Sequence, residues 1–237
     1  MTVRSPGTGV LAMKYKYLLF DLDGTLTDSA EGITKCVQYA MHSFGFEEPD
    51  LNKLRCFVGP PLADMFMQYC GWPIERAEAA IGKYRERFQA KGMFENSVYE
   101  GIPEVLRMLA EDGQDEQEKR VLVVASSKPE KFVRIIMEHF GILQYFDEVV
   151  GASLDGKLSR KVDIIAEVFR RLGLTSEQKN EVLMIGDRNH DVLGAKEAGV
   201  DCLGVYYGFA DPGELEEAGA DYIVDTVEEM GELLKRI

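Results

Sequence analysis

Two carboxylates, Asp21 and Asp23, stand two residues apart in YLLFDLDGTLTDS, directly behind an apolar run and directly ahead of Gly24 and Thr25. A short apolar run bounded by turn residues reads as a buried strand, and in an open α/β sheet ligands bind beyond the carboxyl ends of the strands. Two carboxylates this close repel unless a cation, a proton or hydrogen bonds offset them. A hard oxygen cage suits Mg2+, which would accept phosphate oxygens as well. The plain alternative for a bare D-x-D-G is an Asp-Gly turn whose aspartates cap a helix. The strand in front and T-L-T-D behind favour the site.

Positioning such residues requires a sheet, and the chain carries the pattern for one. Short apolar runs recur at Tyr17 to Phe20, Val121 to Ala125, Val149 and Val150, Val182 to Ile185, Cys202 to Val205, and Tyr222 to Val224. Between them lie amphipathic segments. One places Ile164, Ile165, Val168, Phe169 and Leu172 at helical spacing and closes at Gly173; another starts at Pro129, carries Phe132, Val133, Ile136, Met137 and Phe140, and stops at Gly141. Strand alternating with helix predicts an α/β fold, a Rossmann-like doubly wound parallel sheet. From about Ala30 to Met93 the alternation breaks: Ile33, Val37, Tyr39, Ala40 and Phe44, then Ile81, Tyr84 and Phe88, follow helical spacing, separated by FVGPPL and GWP. That stretch predicts a helical insertion after the first strand. Residues 1–13 are expected to be a flexible N-terminal tail, with Met13 an alternative start, and EDGQDEQEKR at 111–120 an exposed loop and helix end.

Three further motifs follow in order. Ser126 ends a strand in VLVVASSKP, Lys161 stands at a helix start in LSRKVD, and Gly186, Asp187 and Asp191 form G-D-x-x-x-D in LMIGDRNHD. Singly, each has an ordinary reading: a Ser is a turn residue, a Lys is solvated, and an Asp caps a helix. A Lys at a helix start opposes the helix dipole, which favours a ligand-facing role. Together with D-x-D-G-T-L-x-D-S, the four ordered motifs resemble the haloacid dehalogenase (HAD) superfamily from about Tyr15 to the C-terminus.

The resemblance implies a phosphatase similar to phosphoglycolate phosphatases. It makes Asp21 the nucleophile that becomes an aspartyl phosphate, and Asp23 the acid and base. Ser126 and Lys161 would hold phosphoryl oxygens. Mg2+ would be bound by the Asp21 carboxylate, the Asp23 backbone carbonyl and Asp187, with Asp191 a further ligand or an orienter. The insertion resembles the C1 cap of this superfamily, giving a core of 14–28 and 98–237 and a helical cap of 29–97. Closure of that lid would exclude water and bring specificity residues to the substrate. Thr25, Gly59, Pro60 and Pro61 of FVGPPL, Ser127 and Lys128 are the candidate substrate contacts, and the segments at Thr27 to Ser29 and Ser97 to Gly101 the expected hinges. Val162 stands where many relatives carry Pro after the motif Lys, which bears on where that helix starts. Nucleotide monophosphatase, pyrophosphatase and sugar phosphomutase activities stay open as alternatives, and a non-enzymatic binding module would have to keep the Asp pair merely as a turn.

Composition limits the partners. With 41 acidic and 27 basic side chains the net charge is −14, which argues against nucleic-acid backbone binding because no lysine and arginine surplus exists to neutralise phosphates. The expected partner is a small phosphorylated metabolite, held by local donors or a metal. Four cysteines with no C-x-x-C pair read as reduced thiols in a cytoplasm, and no apolar run reaches the ~20 residues of a membrane span. The three histidines, His42, His139 and His190, sit in no metal spacing and are expected on the surface or partly buried.

Overall fold

The computed structural model describes residues 14–111, 119–154 and 157–237. The expected tail at 1–13 and most of the polar stretch at 111–120 lie outside these residues. In chain order the elements are β1 (Tyr17–Phe20), β2 (Thr27–Asp28), α1 (Ala30–Ser43), α2 (Leu62–Cys70), α3 (Ile74–Ala90), β3 (Ser97–Val98), α4 (Ile102–Glu111), β4 (Val121–Pro129) and α5 (Glu130–His139). There follow β5 (Glu148–Ala152), α6 (Lys161–Leu172), β6 (Val182–Gly186), α7 (Asn189–Ala198), β7 (Asp201–Val205), α8 (Glu214–Ala218), β8 (Tyr222–Val224) and α9 (Val227–Leu234). Short 3-10 turns join several of them, one at Leu51–Phe57.

The main sheet runs β5-β4-β1-β6-β7-β8, every pair parallel. The first strand is therefore central. The chain builds outward on one side through β4 and β5, then returns to the other side of β1 through β6. A crevice opens at such a reversal, beyond the carboxyl ends of the strands. The pleat sends alternate residues to opposite faces: Leu18, Phe20, Leu122 and Val124 join one apolar cluster, while Leu19, Val123 and Ala125 join the other. Both faces are covered by helices, so the strands are apolar throughout instead of alternating.

Between β2 and β3 the structure is helical, as the spacing predicts. In α1, Ile33, Cys36, Val37, Ala40 and Met41 are buried, whereas Tyr39, grouped with the apolar face in the sequence reading, is exposed and its hydroxyl donates to Glu86 Oε1 at 3.1 Å. The two expected hinge segments pair with each other: Thr27 opposes Val98 and Asp28 opposes Ser97 in an antiparallel ladder. At two residues per strand this ladder is too short to leave a periodic signal.

Two boundaries bear on the site. β4 continues past Ala125 to Pro129, with a register shift against β5 between Ser126 and Pro129, so α5 starts at Glu130 with Pro129 as its cap. The helix α6 starts at Lys161 itself despite the following Val162, and ends at Gly173 in the left-handed conformation. Among the described residues no helix is long and apolar enough to cross a membrane.

Candidate active site

Sheet register brings the motifs together. Phe20 pairs with Val124 on one side and Ile185 on the other, so Asp21 leaves the sheet level with Ala125 and Gly186. Ser126 and Asp187 each lie one residue beyond that level on the neighbouring strands. The Asp21 backbone N–H donates to Ile185 O at 2.9 Å, the last tie of β1 to β6.

Asp21 is 5 % exposed, and its Oδ1 accepts from the Leu22 N–H at 2.8 Å. The same oxygen lies 3.2 Å from Lys161 Nζ. Lys161, 4 % exposed, also pairs with Asp191 Oδ1 at 2.8 Å and donates to the Ala125 carbonyl at 2.8 Å. Burial alone would push the Lys161 pKa down, but the charges of Asp191 and Asp21 outweigh it and hold the ammonium above its ordinary value. Burial raises the Asp21 pKa, and Lys161 opposes that rise. Asp191 resists its own burial and is held below the usual carboxylate range, chiefly by Lys161. Its Oδ2 accepts the Arg188 N–H at 3.1 Å, so both of its oxygens are engaged.

Asp187 has no such relief. It is 1 % exposed; Oδ2 accepts the Phe209 N–H at 2.8 Å, and Oδ1 is reached by the Thr25 hydroxyl at 3.4 Å. Among the described residues it forms no ion pair. Burial, then the charges of Asp191 and Asp21, drive its pKa well above the ordinary range. A buried carboxylate lacking a counterion, beside two more, is a donor set that a divalent cation satisfies. The residues thus fit Mg2+. The turn at Gly24, φ +79°, brings the backbone against this carboxylate: a Cβ there would stand 2.0 Å from Asp187 Oδ2.

Asp23 pairs with Lys128 at 2.9 Å, while its Oδ1 is buried without a hydrogen-bond partner. The Lys128 ammonium lies 4.7 Å from the ring centroid of Phe88 on α3, so a core lysine spans the acid and the helical insertion. Ser126, 2 % exposed, accepts the Lys128 N–H on its Oγ at 3.3 Å, and Ser127 beside it is partly buried. Thr25 is fully buried with its hydroxyl turned to Asp187.

The FVGPPL segment does face the core. Arg188 Nη1 donates to the Val58 carbonyl at 3.1 Å while its Nε donates to Glu214 Oε1 at 2.9 Å. A Cβ on Gly59, φ +100°, would meet His190 Cε1 at 3.0 Å. Pro60 is partly buried and Pro61 exposed at the start of α2. His190 is partly buried, as expected, and ligand atoms of Asp21, His190 and Asp191 all lie within 4.8 Å of one another. Arg188, which joins the inserted loop to Glu214, was not among the sequence candidates. Its position next to G-D, facing the inserted loop, was the available signal.

The chain is similar to known proteins along most of its length. Residues 18–205 match the family described as Haloacid dehalogenase-like hydrolase. The 5'-nucleotidase of Pseudomonas aeruginosa is 47 % identical over 204 residues, 86 % of this chain and 88 % of that protein. Phosphoglycolate phosphatase 1 of the same organism is 27 % identical over 222 residues, 91 % of this chain and 78 % of that protein. A crystal structure described as a predicted phosphatase from Clostridium acetobutylicum superposes with a TM-score of 0.87 at 48 % identity, covering 94 % of this chain and 99 % of that one.

Proposed function

From a chain that belongs to the haloacid dehalogenase-like hydrolases and is a phosphatase of that family, we infer that Asp21 is the nucleophile of a phosphomonoester hydrolase acting on a small metabolite. Its Oδ1 is engaged by Leu22 and Lys161, which leaves Oδ2 to attack phosphorus. As the phosphorus–oxygen bond of the ester breaks, Asp23 gives its proton to the leaving oxygen, and an aspartyl phosphate remains. Asp23 then takes a proton from the water that attacks this phosphate, and inorganic phosphate leaves. Lys161 and the Ser126 hydroxyl hold phosphoryl oxygens, and Asp191 acts by fixing Lys161.

Mg2+ would be held by the carboxylates of Asp21 and Asp187 and the Asp23 carbonyl, and would neutralise charge on the phosphoryl oxygens. Residues 29–97 form the lid of this reading, resting on the core 14–28 and 98–237 through Val58 on Arg188 and Phe88 on Lys128. The observation that carries the proposal is that Asp21, Ser126 and Asp187 emerge at the carboxyl ends of three adjacent strands, with Lys161 bridging Asp21 and Asp191.

For the leaving group, the greater identity to a 5'-nucleotidase supports a nucleoside monophosphate over phosphoglycolate as the first ester to test. Phosphate release is followed for a panel of monoesters with Mg2+ or EDTA. Turnover that depends on Mg2+ and vanishes in Asp21→Asn is expected; undiminished turnover by that variant excludes the mechanism.

A further inference from the structure

At the base of the helical insertion lies a cavity of about 340 Å3, lined among others by Asp28, Thr34, Asn52, Arg55, Asn96 and Ser97. Three elements meet there: the start of α1, the 3-10 turn at Leu51–Phe57, and β3. Two chains of contact lead from its lining toward the site carboxylates. The Arg55 guanidinium carbon lies 5.3 Å from the centroid of Phe209, whose backbone N–H donates to Asp187. Tyr99, two residues beyond Ser97, packs edge-on against Tyr207 at 5.1 Å, and the Tyr207 hydroxyl donates to the Thr25 carbonyl at 2.9 Å. Burial raises the Tyr99 pKa, the charges of Asp28, Asp187 and Asp23 raise it further, and Arg55 opposes them.

The lining carries polar capacity that the protein does not spend. Asn96 Oδ1 is buried with no hydrogen-bond partner. Among the described residues Arg55 has no carboxylate within ion-pairing distance, its charge resting on a ring, and the Asn52 side-chain amide makes no hydrogen bond. Glu31 of the same cavity is already tied to Lys35.

We propose that this cavity seats the leaving group of the phosphoester, that Arg55 and Asn96 select it, and that the selected group is uncharged and ring-bearing with both hydrogen-bond donors and acceptors, as in a nucleoside 5'-monophosphate. The assignment rests on the hydrolase reading above. Arg55 supplies donors and a planar cation of the kind on which bases stack, and Asn96 Oδ1 accepts from a hydroxyl or amino group. A short carboxylic acid is a poor fit on two counts. The Asp28 and Glu31 carboxylates on the same wall repel it and offset the attraction of Arg55. At about 30 Å3 per water, the cavity has room for roughly ten waters, most of which a two-carbon acid would leave behind. A site whose buried polar groups are satisfied by one leaving group discriminates strongly against one that leaves them unpaired.

The test measures kcat/KM with Mg2+ for uridine 5'-monophosphate, phosphoglycolate and p-nitrophenyl phosphate. The wild type is expected to favour the nucleotide over phosphoglycolate by at least tenfold. Arg55→Ala is expected to lower the nucleotide to p-nitrophenyl phosphate ratio tenfold or more, mainly through KM, with thermal unfolding checking the fold. Arg55→Lys, which keeps the charge but not the plane, should lower the same ratio and serves should the first variant fail to fold. A preference for phosphoglycolate, or ratios unmoved in both variants, overturns the cavity assignment while Asp21→Asn still reports on the hydrolase reading. No turnover of any ester by the wild type overturns both.

Discussion

Replacing Lys161 by methionine isolates the electrostatic argument from the catalytic one. The change removes an ammonium that is 4 % exposed and that pairs with Asp21 at 3.2 Å and Asp191 at 2.8 Å, and it strands the Ala125 carbonyl that the same nitrogen serves at 2.8 Å. Breaking a buried ion pair from one side costs about 3–5 kcal/mol, because the surviving charge keeps its burial and loses its compensation. For a chain of this size each kcal/mol moves Tm by roughly 2–4 °C, so Lys161→Met should melt roughly 6–20 °C below the wild type. The assay is thermal unfolding in EDTA at neutral pH, followed by circular dichroism. Adding Asp191→Asn to Lys161→Met removes one orphaned charge and should recover part of the loss, giving a coupling of at least about 1 kcal/mol between two residues in contact. A Tm loss under about 2 °C, or strictly additive effects of the two changes, refutes the reasoning.

Three further outcomes follow from the same geometry. Asp187→Asn removes a buried carboxylate without a counterion, so in EDTA it should melt at or above the wild type, yet lose the Mg2+-dependent gain, about 2.7 kcal/mol at a hundred times Kd; a retained Mg2+ shift removes Asp187 from the ion site. Gly24→Ala places a Cβ 2.0 Å from Asp187 Oδ2 at φ +79°, whereas Gly45→Ala, at φ +72°, has nothing within 4 Å. Urea unfolding should charge both variants the left-handed backbone cost of about 1–2 kcal/mol, with a further loss and weaker Mg2+ binding only in the first. The Glu95 carboxyl is held below its ordinary range chiefly by Arg87, at 2.6 Å and 3.1 Å. A depressed folded pKa stabilises above the unfolded value and fades as pH falls through the folded one, so Glu95→Gln should be less stable than the wild type at pH 7. Stability against pH should bring the two curves together below about pH 4.

The six strands of the main sheet, the helical insertion and the four motifs were all legible along the chain. Each is a local statement: an apolar run, a 3.6-residue spacing, a carboxylate pair behind a strand. Partnership among the polar side chains was less visible. Lys128, read as a substrate contact, stands on Asp23; Thr25, read the same way, serves Asp187. The hydrogen-bonded β2–β3 crossing and the nearness of His190 to Asp21 left no periodic trace, because two residues per strand and one histidine at a helix start carry no repeat.

What the sequence by itself determined is which residues emerge at the carboxyl ends of which strands, since burial alternation and turn chemistry act over a few neighbouring positions. What only the tertiary structure decided is which charge answers which. Asp191, Asp21 and Asp187 are alike in type, yet Lys161 reaches the first two and not the third. Helix α6 carries that lysine to the sheet edge from 140 positions along the chain, and an ion pair depends on a few ångströms of placement.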